Sequence, residues 1–206
     1  MPPSSSVRYI ETNSLWAIAT GRDPDAIRLL KNPPLDLCLA LPQVCVMEAF
    51  SVLNATRRQK NQFRNSLDRQ ISAMRRDATS PHAKILFAYL ERARVAGESL
   101  LEDTISRLGE AIERLSDRAS LIELDAGTLR ESQRNTLVDD PTDSLILHCI
   151  LAHARSASFT AKILLTENRK DFDSELVRTE CAKVGLVSFF NRTEPFLKWL
   201  GFQPPS

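Results

Sequence analysis

Five short apolar runs, separated by longer stretches of helical periodicity, constrain the fold of this chain most strongly. The runs cover residues 7–10, 35–41, 121–124, 163–165 and 186–190. Each reads as a short buried strand, and strands that alternate with helices are typical of a mainly parallel sheet covered on both faces. The sequence therefore predicts an α/β fold with a central sheet of about five strands.

Local signals predict where the first three helices begin and end. Asn13 or Ser14 can cap the first helix, and Gly21 ends it. Pro24 fits the first turn of a short second helix, and Pro42 opens a third.

Residues 59–117 depart from this alternation, because they carry almost no strand signal. One helical face of the first half carries Phe63, Leu67, Ile71 and Met74. A heptad seam in the second half consists of Leu101, Ile105, Leu108, Ile112 and Leu115. Pro81 separates the two halves. We expect a long helical hairpin inserted into the α/β core, whose seam is either internal or a contact with a second copy or a partner helix.

Length and composition favour a single globular domain. The 206 residues suit a domain over 7–200, with a disordered lead-in at 1–6 and a tail at 201–206. No run approaches the ~18 apolar residues of a membrane span. The four cysteines form no C-x-x-C pair and fall in predicted elements, namely Cys38, Cys45, Cys149 and Cys181. Buried, reduced thiols are expected, which indicates the cytoplasm.

Four acid or amide side chains stand where strands end or helices begin. Glu11 ends the first strand, Glu48 lies in an apolar helical stretch, Asp143 opens an apolar helix, and Asn168 follows the fourth strand. Such positions converge on one edge of an open α/β sheet. Clustered carboxylates at that edge are suited to Mg²⁺ or Mn²⁺.

Each position also has a structural explanation. Glu48 can lie on a narrow polar stripe and pair with Arg57 or Arg58. Asp143 suits the first turn of a helix capped by Asp140, where the helix dipole favours an acid. Helix capping alone can explain Thr12, Asn13 and Asp171, because threonine, asparagine and aspartate are common where a helix begins. Glycine-rich phosphate loops and the G-x-S-x-G nucleophile setting are absent from the sequence.

Taken as an ordered set, these positions resemble the PIN-domain family of metal-dependent nucleases. The resemblance rests on four short elements: Glu11-Thr12-Asn13, Glu48, the helix opened by Asp143, and Thr166-Glu167-Asn168 followed by Asp171-Phe172. It covers about residues 7–55 and 121–190 and leaves out the central hairpin. Two positions depart from the family pattern. Glu11 replaces the usual aspartate, and the amide Asn168 replaces a fourth acid.

The resemblance implies a fold, an activity and a set of roles. The fold is a PIN-like three-layer sandwich, and the activity is hydrolysis of a phosphodiester, most often in RNA, with Mg²⁺ or Mn²⁺. Glu11, Glu48 and Asp143 would be catalytic acids and metal ligands. The supporting residues would be Thr12, Asn13, Asp140, Thr166, Asn168 and Asp171.

A basic segment follows the Glu48 helix and supplies candidate contacts to a nucleic-acid backbone. Its first four cations are Arg57, Arg58, Lys60 and Arg64. A solvated helix face explains them equally well. Many PIN nucleases are toxins held by an antitoxin, so such a partner is expected from the resemblance. The competing hypothesis is a catalytically inactive PIN-like module that binds RNA or a protein partner.

Overall fold

The structure, a computed structural model, describes residues 6–166, 168, 172, 174–190 and 192–201, except for the side chains of 187–189. Most of the predicted N-terminal lead-in and C-terminal tail lie outside these residues. Ser6, which the sequence assigned to the lead-in, is instead the first residue of a strand.

A parallel sheet forms the centre of the protein. Its strands are Ser6–Ile10 (β1), Leu37–Pro42 (β2), Ser120–Ile122 (β3), Ala161–Leu165 (β4) and Leu186–Phe190 (β5). They lie in the order β3-β2-β1-β4-β5, and every paired strand is parallel. The predicted α/β class with a parallel sheet is confirmed. β2 begins two residues later than predicted, because Leu35 is fully exposed before the strand.

Helices connect the strands and cover the sheet. They are Thr12–Ala19 (α1), Pro24–Lys31 (α2), Gln43–Arg76 (α3), Pro81–Arg118 (α4), Ala126–Arg134 (α5), Pro141–Ser156 (α6), Glu175–Lys183 (α7) and Thr193–Trp199 (α8). Gly21 follows α1 with a φ of 70°, a conformation that favours glycine.

The predicted cap of α1 is wrong. The N-cap residue is Glu11, in an extended conformation and without a side-chain capping bond, and the helix already begins at Thr12. Because β1 ends at Ile10, a single residue separates the strand from the helix. Asn13 and Ser14 therefore lie inside the first turn rather than ahead of it.

The hairpin is built from α3 and α4, and residue 59 lies inside α3 rather than at a boundary. The helix that carries Glu48 thus runs on without a break to Arg76. The two helices are separated just before Pro81, as predicted: Pro81 is the first residue of α4, and Ser80 caps it by accepting a hydrogen bond from the backbone N–H of Ala83 at 3.3 Å.

The heptad seam of α4 packs inside the protein. Leu108 and Leu115 are buried in the main hydrophobic core, and Ile105 and Ile112 pack against it. α4 contacts α1 and α2, and its residues Arg107, Ala111 and Arg114 line a cavity together with Ile18, Ile27 and Leu30. The alternative that this seam joins two copies is therefore wrong for residues 105–115.

The cysteines are all free thiols, and Cys45, Cys149 and Cys181 are buried as expected. Cys38 is exposed, so the expectation of burial is wrong at that position. Within the described residues, no helix has both the length and the apolarity that crossing a bilayer requires.

Candidate functional site

The strand order places one edge of the sheet in the position where open α/β proteins bind ligands. From β1 the chain moves outward to β2 and β3, then returns to place β4 on the other side of β1. The crevice at such a switch point, outside the carboxyl ends of the strands, is the usual ligand site. Ile10 and Leu165 are register partners at these ends. Glu11 and Thr166, the next residues, therefore flank the switch point.

The residues at this edge are buried although they are polar. Glu11 is 1% exposed, Thr12 is 6% exposed and Thr166 is 3% exposed. The Ser14 hydroxyl donates to the Leu165 carbonyl oxygen at 3.5 Å, which ties the start of α1 to the end of β4. A buried carboxylate is costly unless donors or a cation meet it. The burial of Glu11 therefore distinguishes it from an ordinary polar residue at a strand end.

Glu48 is joined to this edge by Thr12. It lies half-buried on the second turn of α3, and the Thr12 hydroxyl donates a hydrogen bond to Glu48 Oε2. Arg57 and Arg58 form no ion pair with Glu48 or with any other described acid. The apolar neighbours of Glu48 do not enclose it, because Met47 is 72% exposed and Phe50 is 46% exposed. The apolar stretch that carries Glu48 therefore faces solvent in part and leaves Glu48 half-buried.

Cys45 lies near both Glu11 and Glu48. Cys45 is buried one turn before Glu48, with its Sγ 3.8 Å from the Ile10 carbonyl oxygen. Burial raises the pKa of this thiol far above its ordinary range, and the nearby carboxylates of Glu11 and Glu48 raise it further. Cys45 was not recognised from the sequence as a member of this group, although its i,i+3 spacing from Glu48 places both on one helix face.

Asp143 and Asn168 form a second hydrogen-bonded pair. Asn168 Nδ2 donates to Asp143 Oδ2 at 3.1 Å. The backbone N–H of Asn168 donates to Thr166 Oγ1 at 3.0 Å, so Thr166 holds the turn after β4. Asp140 caps α6 as predicted, because its Oδ1 accepts from the backbone N–H groups of Thr142 at 2.8 Å and Asp143 at 3.1 Å.

Two further bonds fix the start of α6. Ser144 Oγ accepts the buried backbone N–H of Leu137 at 3.1 Å, and His148 Nε2 lies 2.7 Å from the Asn135 carbonyl oxygen. They bind the 135–140 loop to the helix that presents Asp143. Neither residue was recognised in the sequence, because a serine or histidine in an apolar helix carries no specific signal.

Two hydrogen-bonded pairs therefore lie at this edge, Thr12–Glu48 and Asn168–Asp143. Glu11 lies next to the first pair. In the part of the chain that the structure describes, no three His, Cys, Asp or Glu side chains form a group ready to hold a metal ion. By donor type the residues fit Mg²⁺ or Mn²⁺, which prefer oxygen ligands and, for Mg²⁺, commonly use only one or two carboxylates with waters.

The remaining predicted site residues are distributed as follows. Asn13 is half-buried on the first turn of α1. Asp171, and Glu167 of the Thr166-Glu167-Asn168 element, lie outside the described residues. Arg57, Arg58 and Arg64 are exposed on α3 and form no ion pair within the described chain, whereas Lys60 is half-buried.

The candidate nucleic-acid residues have different surroundings on α3. Lys60 and Arg64 line a cavity of about 400 Å³ between α3 and α4, opposite Glu98 and Glu102. At ~100° per residue, Arg58 lies ~120° around α3 from Arg64, whereas Arg57 lies within ~20° of Arg64 but does not line the cavity.

Comparisons of the chain with protein-family models, with curated proteins and with solved structures returned no match. The fold and the site define an α/β protein with an acidic switch-point edge.

Proposed function

We propose that this protein hydrolyses phosphodiester bonds in single-stranded nucleic acid, RNA in the first place, with Mg²⁺ or Mn²⁺ at the switch-point edge. The observation that carries the proposal is the pair of side-chain bonds Thr12–Glu48 and Asn168–Asp143 beside the buried Glu11. Both bonds leave a carboxylate oriented by a neighbour that is itself fixed. Fixed orientation of acidic ligands is what a catalytic metal site requires.

The roles follow from the placement of each group. Glu11, Glu48 and Asp143 would hold the metal ion, with Thr12 and Asn168 orienting two of them. When bound, the ion would neutralise charge on the scissile phosphate and lower the pKa of a water molecule. The PIN-like three-layer arrangement belongs to the same proposal, supported by the parallel order of the sheet and by the sequence positions of the acids.

An exposed strip on α3 gives the proposed substrate a path to this edge. The strip consists of Met47, Phe50, Asn54, Arg57 and Arg58, which are all exposed. On an ideal helix these residues fall within about 100° of the circumference. It begins next to Glu48 and extends about three turns along α3.

The chemistry of this α3 strip suits a single strand rather than a duplex. Phe50 and Met47 offer apolar surface on which unpaired bases can stack, and each base stacked on an aromatic ring contributes about 1–3 kcal/mol. Arg57 and Arg58 form no ion pair with a described residue, so their charges are available to phosphates. Lys60 and Arg64 face acids across the cavity and contribute less.

The activity is tested with end-labelled single-stranded RNA and DNA of one sequence, with Mg²⁺, with Mn²⁺ and with EDTA. We expect cleavage of RNA that requires the metal and falls at least ~100-fold in Asp143→Asn, since loss of groups around a metal commonly costs 10–100-fold or more. Asp139→Asn is the matched control, because Asp139 is an exposed acid just before the α6 cap. Cleavage that persists in Asp143→Asn or in EDTA would refute the proposal. If only DNA is cleaved, DNA and not RNA is the substrate.

The α3 strip is tested by RNA binding as a function of salt. Arg57→Ala combined with Arg58→Ala is expected to reduce the slope of log affinity against log salt by about 1.4, at ~0.7 per phosphate contact on a single strand. The control is Arg69→Ala combined with Arg76→Ala, which removes equal charge from exposed positions farther along α3. Equal loss in both variants would show that binding depends on net charge and not on the strip. RNA binding without cleavage in any metal would favour the inactive, RNA-binding module instead.

A toxin role under the control of an antitoxin stays a prediction from the family resemblance. The cleavage assay does not test this role, because the role depends on a partner protein and the assay measures only the site.

A further inference from the structure

A cavity between α1, α2 and α4 provides a second candidate site in this protein. Its volume is about 330 Å³, and the residues that line it come from all three helices. Small-molecule sites are commonly cavities of about 300–1,000 Å³. Because one water molecule occupies ~30 Å³ in the liquid, the cavity has room for a ligand of about ten non-hydrogen atoms. None of the candidate metal ligands or their supporting residues is among the described residues that line it.

The floor of this cavity is apolar. Ile18 of α1, Leu30 of α2 and Ala111 of α4 line it, and these residues are 5%, 5% and 2% exposed. Ile27 also lines the cavity and is half-buried. A ligand with an aliphatic part removes apolar surface from water when it contacts such a floor, whereas an inorganic ion does not. The floor therefore favours a ligand that carries a hydrocarbon part.

The rim of the cavity is basic. Three cations line it, namely Lys31, Arg107 and Arg114, against one carboxylate among the described lining residues, Glu110. Asp103 lies 3.1 Å from Arg107 and neutralises part of that charge. Lys31 and Arg114 form no ion pair with a described residue. The rim therefore attracts an anion, and Lys31 and Arg114 supply the charges that are available to it.

Contacts within the protein hold two parts of the rim in place before a ligand arrives. Arg107 Nη2 donates to Asp103 Oδ2 at 3.1 Å. Arg107 Nη1 lies against the turn after α1, since a Cβ atom added at Gly21 would be 3.0 Å from it. Arg118 Nη1 donates to the Lys31 carbonyl oxygen at 3.1 Å, which joins the end of α2 to α4. A cavity with walls that are already joined loses less conformational freedom when it binds a ligand than a mobile surface does.

We propose that this cavity binds a small organic anion, a carboxylate with an unbranched aliphatic chain and about ten non-hydrogen atoms. The chain lies on the floor formed by Ile18, Leu30 and Ala111. The carboxylate meets Lys31 and Arg114 at the rim, where the planar arginine fork can donate two parallel hydrogen bonds to it. The proposal is independent of the nuclease activity, because it uses no residue of the switch-point edge.

Isothermal titration calorimetry of the full chain with three probes tests the class of ligand. Octanoate carries both chain and charge, 1-octanol keeps the chain without the charge, and inorganic phosphate keeps a charge without the chain. We expect octanoate to bind at least ~10-fold more tightly than either, because a hydrogen bond to a charged group corresponds to about 10–150-fold in affinity and a buried CH₂ group to about 4-fold. Octanol or phosphate that binds as tightly as octanoate would refute the proposal. So would octanoate that fails to bind at millimolar concentration.

Two charge variants and a matched control test the site itself. Arg114→Gln is expected to weaken octanoate binding about 10-fold. Glu110→Gln is expected to strengthen it about 2–5-fold, because it removes a negative charge from the rim. Arg92→Gln is the control, since Arg92 is an exposed cation on α4 that does not line the cavity, and it should bind octanoate like wild type.

Circular dichroism of each variant checks that the helices persist. Glu110 is exposed, so its replacement leaves the core unchanged. A folded Glu110→Gln variant that binds octanoate no better than wild type would contradict the proposal. Wild-type affinity in Arg114→Gln, or equal weakening by Arg114→Gln and Arg92→Gln, would also overturn it.

Discussion

Thr12→Val isolates the side-chain hydrogen bond that joins the first residue of α1 to Glu48 on α3. Thr12 is 6% exposed, and its hydroxyl donates to Glu48 Oε2. Valine replaces that hydroxyl by a methyl group of similar size, so no cavity is created. The substitution therefore removes a hydrogen bond and little else.

The size of the effect follows from the charge and exposure of the acceptor. A hydrogen bond to a charged group contributes about 1.5–3 kcal/mol. Glu48 is half-buried, so water replaces part of the lost contact, and we expect a decrease of about 1–1.5 kcal/mol in the free energy of unfolding. For a chain of this length that decrease corresponds to about 3–5 °C in Tm. If Glu48 is a metal ligand, Mn²⁺ affinity should also fall about 10-fold.

Thermal denaturation and Mn²⁺ titration by calorimetry measure the two effects. Thr12→Ser is the control, because it keeps the hydroxyl and removes only a methyl group. The serine variant is expected to bind Mn²⁺ like wild type. If Thr12→Ser and Thr12→Val lose Mn²⁺ affinity equally, or if Thr12→Val loses none, the argument that Thr12 orients Glu48 is refuted.

Two further changes probe the surroundings of the site. Ser144→Ala should lower the free energy of unfolding by about 1–3 kcal/mol in denaturant titration, since it leaves the buried N–H of Leu137 without its acceptor; an unchanged midpoint would contradict this. Burial, and then the charge of Lys162, lowers the pKa of His153 from 6.5. The folded state therefore binds fewer protons, so stability falls as pH drops below about 6.5. His153→Gln should flatten this dependence between pH 7 and 5; a curve that keeps its wild-type slope would show that other groups cause it.

The fold class was accessible from the sequence because each strand is a distinct apolar run. The bounds predicted for β5, residues 186–190, are the observed ones. For β4, the predicted start lies two residues after the observed start and the predicted end is correct. The strand order was not accessible, because hydrophobicity along the chain records burial but not which strands are neighbours. The switch point between β1 and β4 appears only when that order is known.

The environment of Glu48 shows why apolar composition is an incomplete guide. Its neighbours Met47 and Phe50 read as core residues, yet both are exposed. Helical geometry turns them away from the face that Cys45 and Ala49 bury against the sheet. The sequence indicated an apolar segment, but only the packing of α3 showed that part of it faces solvent.

The Asp143–Asn168 bond shows a second limit. The two residues were singled out separately, as a first-turn acid and a strand-end amide. Their hydrogen bond spans 25 positions of the chain and joins the first turn of α6 to the turn after β4. No short sequence motif encodes a contact between residues this far apart in the chain. The sequence therefore predicted both residues, but their hydrogen bond is known only from the fold.

We propose that Glu11, Glu48 and Asp143 hold a metal ion at the β1/β4 edge, and anomalous diffraction from crystals soaked in Mn²⁺ would locate that ion. We expect one strong manganese peak at this edge, with carboxylate oxygens of at least two of the three residues within about 2.2 Å, near the metal–oxygen distance expected for Mg²⁺. Saturating Mn²⁺ that leaves this edge without a peak, or that binds only elsewhere on the protein, would contradict it.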